Sequence, residues 1–115
     1  MSASTTSTAF GGVPSEKWPQ LLEEWKDRAP EAFNDDDLAE VAARGFSSDL
    51  DPTLLRLDAL YIRKLVSHDP DSLVDAIIEN GCCEALIKAA NSSTDDAVVC
   101  DALWALTNIA NTGSS

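Results

Sequence analysis

The segment Asp58-Ala59-Leu60-Tyr61 recurs as Asp101-Ala102-Leu103-Trp104, 43 residues further along the chain. Tandem helical units have periods of roughly 40–47 residues, so the offset falls inside their range. Each copy ends a long apolar-periodic stretch and is followed by polar residues. A unit of this kind buries its apolar face only by stacking on a neighbour. The recurrence therefore constrains the chain to a stack of helices.

The rest of the chain fits that constraint. Residues 1–14 form a tail rich in Ser and Thr, with Gly11, Gly12 and Pro14 as breakers. Ser15 is placed to cap a helix within residues 15–34, whose apolar positions Trp18, Leu21, Leu22 and Trp25 recur at helical spacing. Pro30 ends it. A second helix starts after Asn34 or Asp35, with acidic residues in its first turn, and runs to about Gly45. After the break at Ser47-Ser48-Asp49, Asp51-Pro52 opens a long helix carrying Leu54, Leu57, Leu60, Tyr61, Leu65 and Val66. It stops near His68-Asp69-Pro70. A short helix is expected over Leu73 to Glu79, opened by Asp71-Ser72 and closed by Asn80-Gly81. Another spans Cys82 to about Ala90, a turn covers Asn91 to Thr94, and a last helix runs from Asp95-Asp96 to Ala110. No segment alternates as a strand would. The expected fold class is all-α, with repeats over 35–69 and 70–115.

Composition narrows the function classes. The net charge is −12, with the excess spread along the chain, which repels nucleic acid and anionic lipid and attracts basic partners. No apolar run approaches the length of a membrane span. The first ten residues lack both the basic start of a secretory signal and the arginines of a transit peptide. A protein of the cytoplasm and nucleus is expected. Cys82, Cys83 and Cys100 are an odd count without Cys-x-x-Cys spacing, so they read as small buried apolar residues rather than a disulfide or zinc framework. His68 reads as a helix-end residue, and Asp35-Asp36-Asp37 as a helix start rather than a cation loop. No nucleophile elbow or glycine-rich phosphate loop is present, so no enzyme activity and no cofactor are expected. The Trp18/Trp25 stripe reads first as a cap over the end of the stack, and second as a docking face for a partner.

The last helix is the most informative. At 100° per residue, Val99, Leu103, Leu106, Ile109 and Ala110 share one face and are expected to be the core. Asp101, Trp104 and Asn108 fall roughly opposite. An exposed tryptophan forgoes burial worth a few kcal/mol, so its place invites a reason. Trp104 and Asn108 are one helical turn apart. The asparagine amide can pair with both the N–H and the C=O of an extended peptide. The indole can carry a lysine or arginine stem, and Asp101 could favour its cationic head. Packing of Trp104 against a neighbouring repeat or a partner chain is the alternative.

The run Trp104-Ala105-Leu106-Thr107-Asn108-Ile109-Ala110 resembles the importin-α armadillo signature. Arg63-Lys64-Leu65-Val66-Ser67 is similar to the end of that family's first repeat, and Asp75 to Gly81 to the first helix of its second. The resemblance covers about residues 35–115. It implies an armadillo solenoid of about two repeats with an N-terminal helical extension, acting as an adaptor for nuclear import. It also implies that Trp104 stacks on basic stems of a localisation signal while Asn108 binds the signal's backbone. Asp101 and Asn111 complete the candidate peptide-binding set. Tyr61 and Leu65 stand where a reading repeat would have Trp and Asn, so the first repeat is expected not to read. Asn111-Thr112-Gly113 replaces the family's usual Ser-Gly-Thr. Residues 1–34 hold only Lys17, Lys26 and Arg28 as basic side chains, too few for the family's importin-β-binding segment. The expected partners are proteins with basic localisation signals, or, for a non-import armadillo interaction module, another protein. Self-association through the uncovered end of the stack is also expected, since about three repeats are usually needed for independent stability.

Overall fold

The computed structural model describes residues 13–33, 35–47, 49–68 and 70–112. Residues 1–12 of the expected tail lie outside these, as do Asn34, Ser48, Asp69 and Gly113 at the expected breaks. Six α-helices follow in order among the described residues: α1 Trp18–Asp27, α2 Leu38–Arg44, α3 Pro52–His68, α4 Pro70–Glu79, α5 Cys82–Ser92 and α6 Asp96–Thr112. Three single 3₁₀ turns, Ser15–Lys17, Pro30–Ala32 and Asp35–Asp37, join or precede the first two. No strand occurs among the described residues.

The breaks between helices have local chemical causes. The Asp51 carboxylate accepts the Thr53 N–H at 2.8 Å, and Pro52 begins α3, where its missing N–H costs nothing. Asp95 does the same for α6 through the Ala97 N–H at 3.0 Å. Gly45 ends α2 in the left-handed conformation at φ 60°, its N–H returning to the Val41 carbonyl at 3.2 Å. Several boundaries differ from expectation: α2 begins at Leu38, after the 3₁₀ turn Asp35–Asp37, and α6 runs on to Thr112. Helix α4 begins at Pro70 rather than near Leu73, because proline is at home in a first helical turn. Helix α5 continues to Ser92, and the turn shifts to Ser93, whose hydroxyl accepts the Asp95 N–H at 3.1 Å.

Helix α3 is the hub. From Leu57 to Val66 every side chain except Arg63 is buried. Helix α6 packs along one flank, and the direction is readable from three contacts: Arg56 to Asp95, Arg63 to Asp101 and Ser67 to Asn108. The numbers rise together, so α3 and α6 lie side by side and parallel. Helix α1 covers another flank with Trp18, Leu22 and Trp25, all buried. The ring of Trp25 meets Phe33 edge-on at 5.3 Å and Tyr61 at 6.1 Å. The Lys64 ammonium donates to the carbonyls of Arg28 at 2.9 Å and Lys26 at 3.3 Å, closing the C-terminal end of α1 where carbonyls lack helical partners. The tryptophan stripe is thus internal packing in this chain, as the capping alternative has it.

The buried stripe of α6 is not the expected one. Val98, Ala102, Ala105 and Ile109 face inward, whereas Leu103 is 51 % exposed, Ala110 is exposed, and Val99 and Leu106 are half-buried. Of the expected row only Ile109 is in the core. The cause is distance: α6 is packed against both α3 and α5, and small side chains at 102 and 105 allow that approach. Of the other row, Leu103 and Ala110 face solvent, Val99 is half-buried, and Leu106 packs against the edge of the core. Among the cysteines, Cys82 is buried and burial pushes its thiol up to about 11, Cys83 is half-buried, and Cys100 is exposed. The expectation of buried cysteines therefore fails at Cys100, which lies off the inward stripe.

Candidate functional site

Trp104, Asp101 and Asn108 lie together on the α3 side of α6, at spacings of three and four residues that keep them on adjoining turns. Trp104 is 54 % exposed, the largest side chain on the outside of the fold to be so open. Asp101 and Asn108 are half-buried beside α3 rather than opposite the core. That differs from the expected placing by the same rotation that moved the buried stripe. Asn111, a turn further on, is exposed.

Arg63 joins this group from α3, and its position was not foreseen. Its guanidinium carbon stands 4.7 Å from the centroid of the Trp104 ring. One of its nitrogens, Nη1, donates to Asp101 Oδ1 at 2.8 Å. The two side chains of that ion pair are 32 % and 15 % exposed, so water screens it only in part. Ser67 is the other newcomer, with the Asn108 amide Nδ2 donating to its hydroxyl at 3.5 Å. At that length the bond is at the limit of hydrogen-bond geometry, and the amide exchanges it readily for a better acceptor. The signal that could have exposed both residues is Arg56, Arg63 and Ser67 at helical spacing on one face of α3.

The repeated tetrad explains why only one of its two aromatic residues is offered to solvent. Tyr61 and Trp104 occupy equivalent positions, yet Tyr61 is 3 % exposed beneath Trp25 and Phe33. Its hydroxyl accepts the Asp37 N–H at 3.1 Å. The two aspartates of the tetrad behave alike. Asp58 takes a two-pronged bond from Arg44 of α2, at 2.7 and 2.8 Å, and Asp101 takes its bond from Arg63 of α3. In each copy an arginine from the preceding long or short helix locks the third helix in place.

Residues 70–111 match the family model for the Armadillo/beta-catenin-like repeat. The match spans α4, α5 and nearly all of α6, the short, medium and long helices of one armadillo unit. With the all-helical, side-by-side architecture it makes the chain an all-α, armadillo-like solenoid. Armadillo repeats are protein-binding units, and the coarse reading of the chain is an interaction module. No curated protein and no solved structure matches the chain.

A cleft lies away from the Trp104 face. Of about 970 Å³, it opens where the Phe46–Leu55 stretch meets the Ser92–Ala97 turn, lined among others by Phe46, Leu55, Arg56, Lys88 and Asp95. It contains none of Trp104, Asp101, Asn108 or Asn111. The Arg56 guanidinium and the Asp95 carboxylate are already paired across it at 2.6 Å. Among the described residues no group of three or more His, Cys, Asp or Glu side chains gathers at either place.

Proposed function

We propose that this chain is an armadillo-type protein interaction module that holds an extended segment of a partner protein along the exposed face of α6. The observation that supports it is Trp104, 54 % exposed and one turn from Asn108. An indole so placed gives a broad apolar wall, and the neighbouring amide gives one donor and one acceptor for a peptide backbone. Asn111 would extend that polar edge by a turn. One tryptophan and one amide together support only weak, roughly millimolar binding, so further contacts along α6 would set the affinity. The test is a titration of the chain with short uncharged extended peptides, followed by tryptophan fluorescence or amide chemical shifts. Trp104→Ala should abolish the response, and an unchanged response would remove Trp104 from the site.

A second reading is an importin-α-like adaptor for Lys/Arg-rich localisation signals, working between cytoplasm and nucleus. The Trp104/Asn108 spacing and the net charge of −12 favour it. It requires that a lysine-rich signal peptide bind more tightly than an uncharged one, and that raising the salt weaken the complex. Equal affinity for the two peptides would leave the general module as the account. Lys17, Lys26 and Arg28, the basic residues before Asn34, do not support binding to importin-β through that segment.

A further inference from the structure

We infer that Arg63 is a resident occupant of the cation subsite at Trp104, and that it decides which side chains the α6 face accepts. The inference rests on the proposed peptide site and concerns its selectivity. A partner's lysine or arginine at this place would gain two things: the face of the Trp104 indole, and the negative charge of Asp101. Arg63 holds both. Its guanidinium lies over the ring at 4.7 Å and is bonded to the Asp101 carboxylate at 2.8 Å. A planar, always-charged guanidinium is well suited to stacking and pairing at once. It comes from the same chain, so it is present at a far higher effective concentration than any peptide group.

An incoming cation therefore has to displace Arg63, and while Arg63 stays it meets like charge. An uncharged side chain can lie along the remaining open surface of Trp104 without that exchange. The wild-type face thus selects against Lys and Arg next to Trp104, although the chain as a whole is acidic. Arg63 reaches the ring and the carboxylate with its guanidinium, so Arg63→Met keeps an unbranched stem on α3 while removing the charge from the ring and freeing the carboxylate. The remaining charged groups near it do not replace it, because the Lys64 ammonium is directed to the carbonyls at the end of α1.

The experiment is a four-way titration of wild type, Arg63→Met, Trp104→Ala and the double variant. The probes are two peptides of Ala and Ser that differ by one central residue, Arg or Gln. Wild type should bind the Gln peptide at least as well as the Arg peptide. Arg63→Met should shift the ratio toward the Arg peptide by on the order of tenfold. The double variant should lose that shift. Trp104-dependent binding of both peptides with a ratio unaltered by Arg63→Met would overturn the inference while leaving the site standing. Binding of neither peptide, or binding indifferent to Trp104, would overturn the site and the inference together. The free protein offers a separate readout. The side-chain proton resonances of Arg63 should be displaced by the indole ring current and return to ordinary positions in Trp104→Ala. Ordinary positions in the wild type would also overturn the inference.

Discussion

Among the described residues Asp58 is the carboxylate with no exposed surface, held by two bonds from Arg44. Burial pushes its carboxyl up to about 6 in spite of that pairing. An aspartate in an unfolded chain titrates near pH 3.9, roughly. The folded chain therefore holds this proton more tightly than the unfolded chain does, and the stability it brings is full below the unfolded value. That contribution is lost as the pH rises through about 6. Thermal melts should consequently rise as the pH is lowered from 7.5 toward 5, and Asp58→Asn should flatten the dependence. A wild-type melting temperature that drops over this interval would contradict the assignment.

Helix α6 carries two apolar rows, and choosing between them is where sequence reasoning and structure part. Its start was legible, since Asp95 and Asp96 are strong punctuation, but the helix runs on through Asn111 to Thr112 rather than stopping at Ala110. The exposure of Trp104 was legible too, because no rotation of the wheel puts it in line with either row. The inward row was not. Val99, Leu103 and Leu106 are larger than Ala102 and Ala105, and on the wheel they make the more apolar face. What decided the matter was the closeness of α3 and α5, a tertiary fact that periodicity along one helix does not contain. Arg63 was hidden for the same reason, as its partners lie about 40 residues away in sequence. The rows make a direct test. Ala102→Leu should destabilise by about 1–3 kcal/mol through overpacking, whereas Leu103→Ala should cost less than about 1 kcal/mol. Urea denaturation of the two variants distinguishes the rows, and reversed costs would make the Leu103 row the buried one.

Over the whole molecule, the two ends of the helical stack are treated differently. At the beginning, α1 lays two tryptophans and Leu22 onto α3 and turns Gln20, Glu23, Glu24, Lys26 and Asp27 to solvent. At the other end Leu103, Ile87 and Ile78 remain about half exposed. Within Ala97–Ala110 the one charged side chain is Asp101, which is already paired. The like charge of two acidic chains is therefore locally absent from the α6 row. Sedimentation of the 115-residue chain should show association that grows with concentration and disappears in Leu103→Glu. A strict monomer at high concentration would count against it. At the beginning of the stack, Lys64→Met should loosen α1 and lower stability by about 1.5–3 kcal/mol, with hydrogen exchange accelerating first across residues 18–27. The joint that Lys64 makes also bears on how this protein can change over generations. It grips main-chain carbonyls, and every amino acid supplies one. For this joint alone, the side chains at positions 26 and 28 do not matter so long as the helix still ends there. The tolerance of that whole joint to mutation is concentrated in a single codon, the one for Lys64.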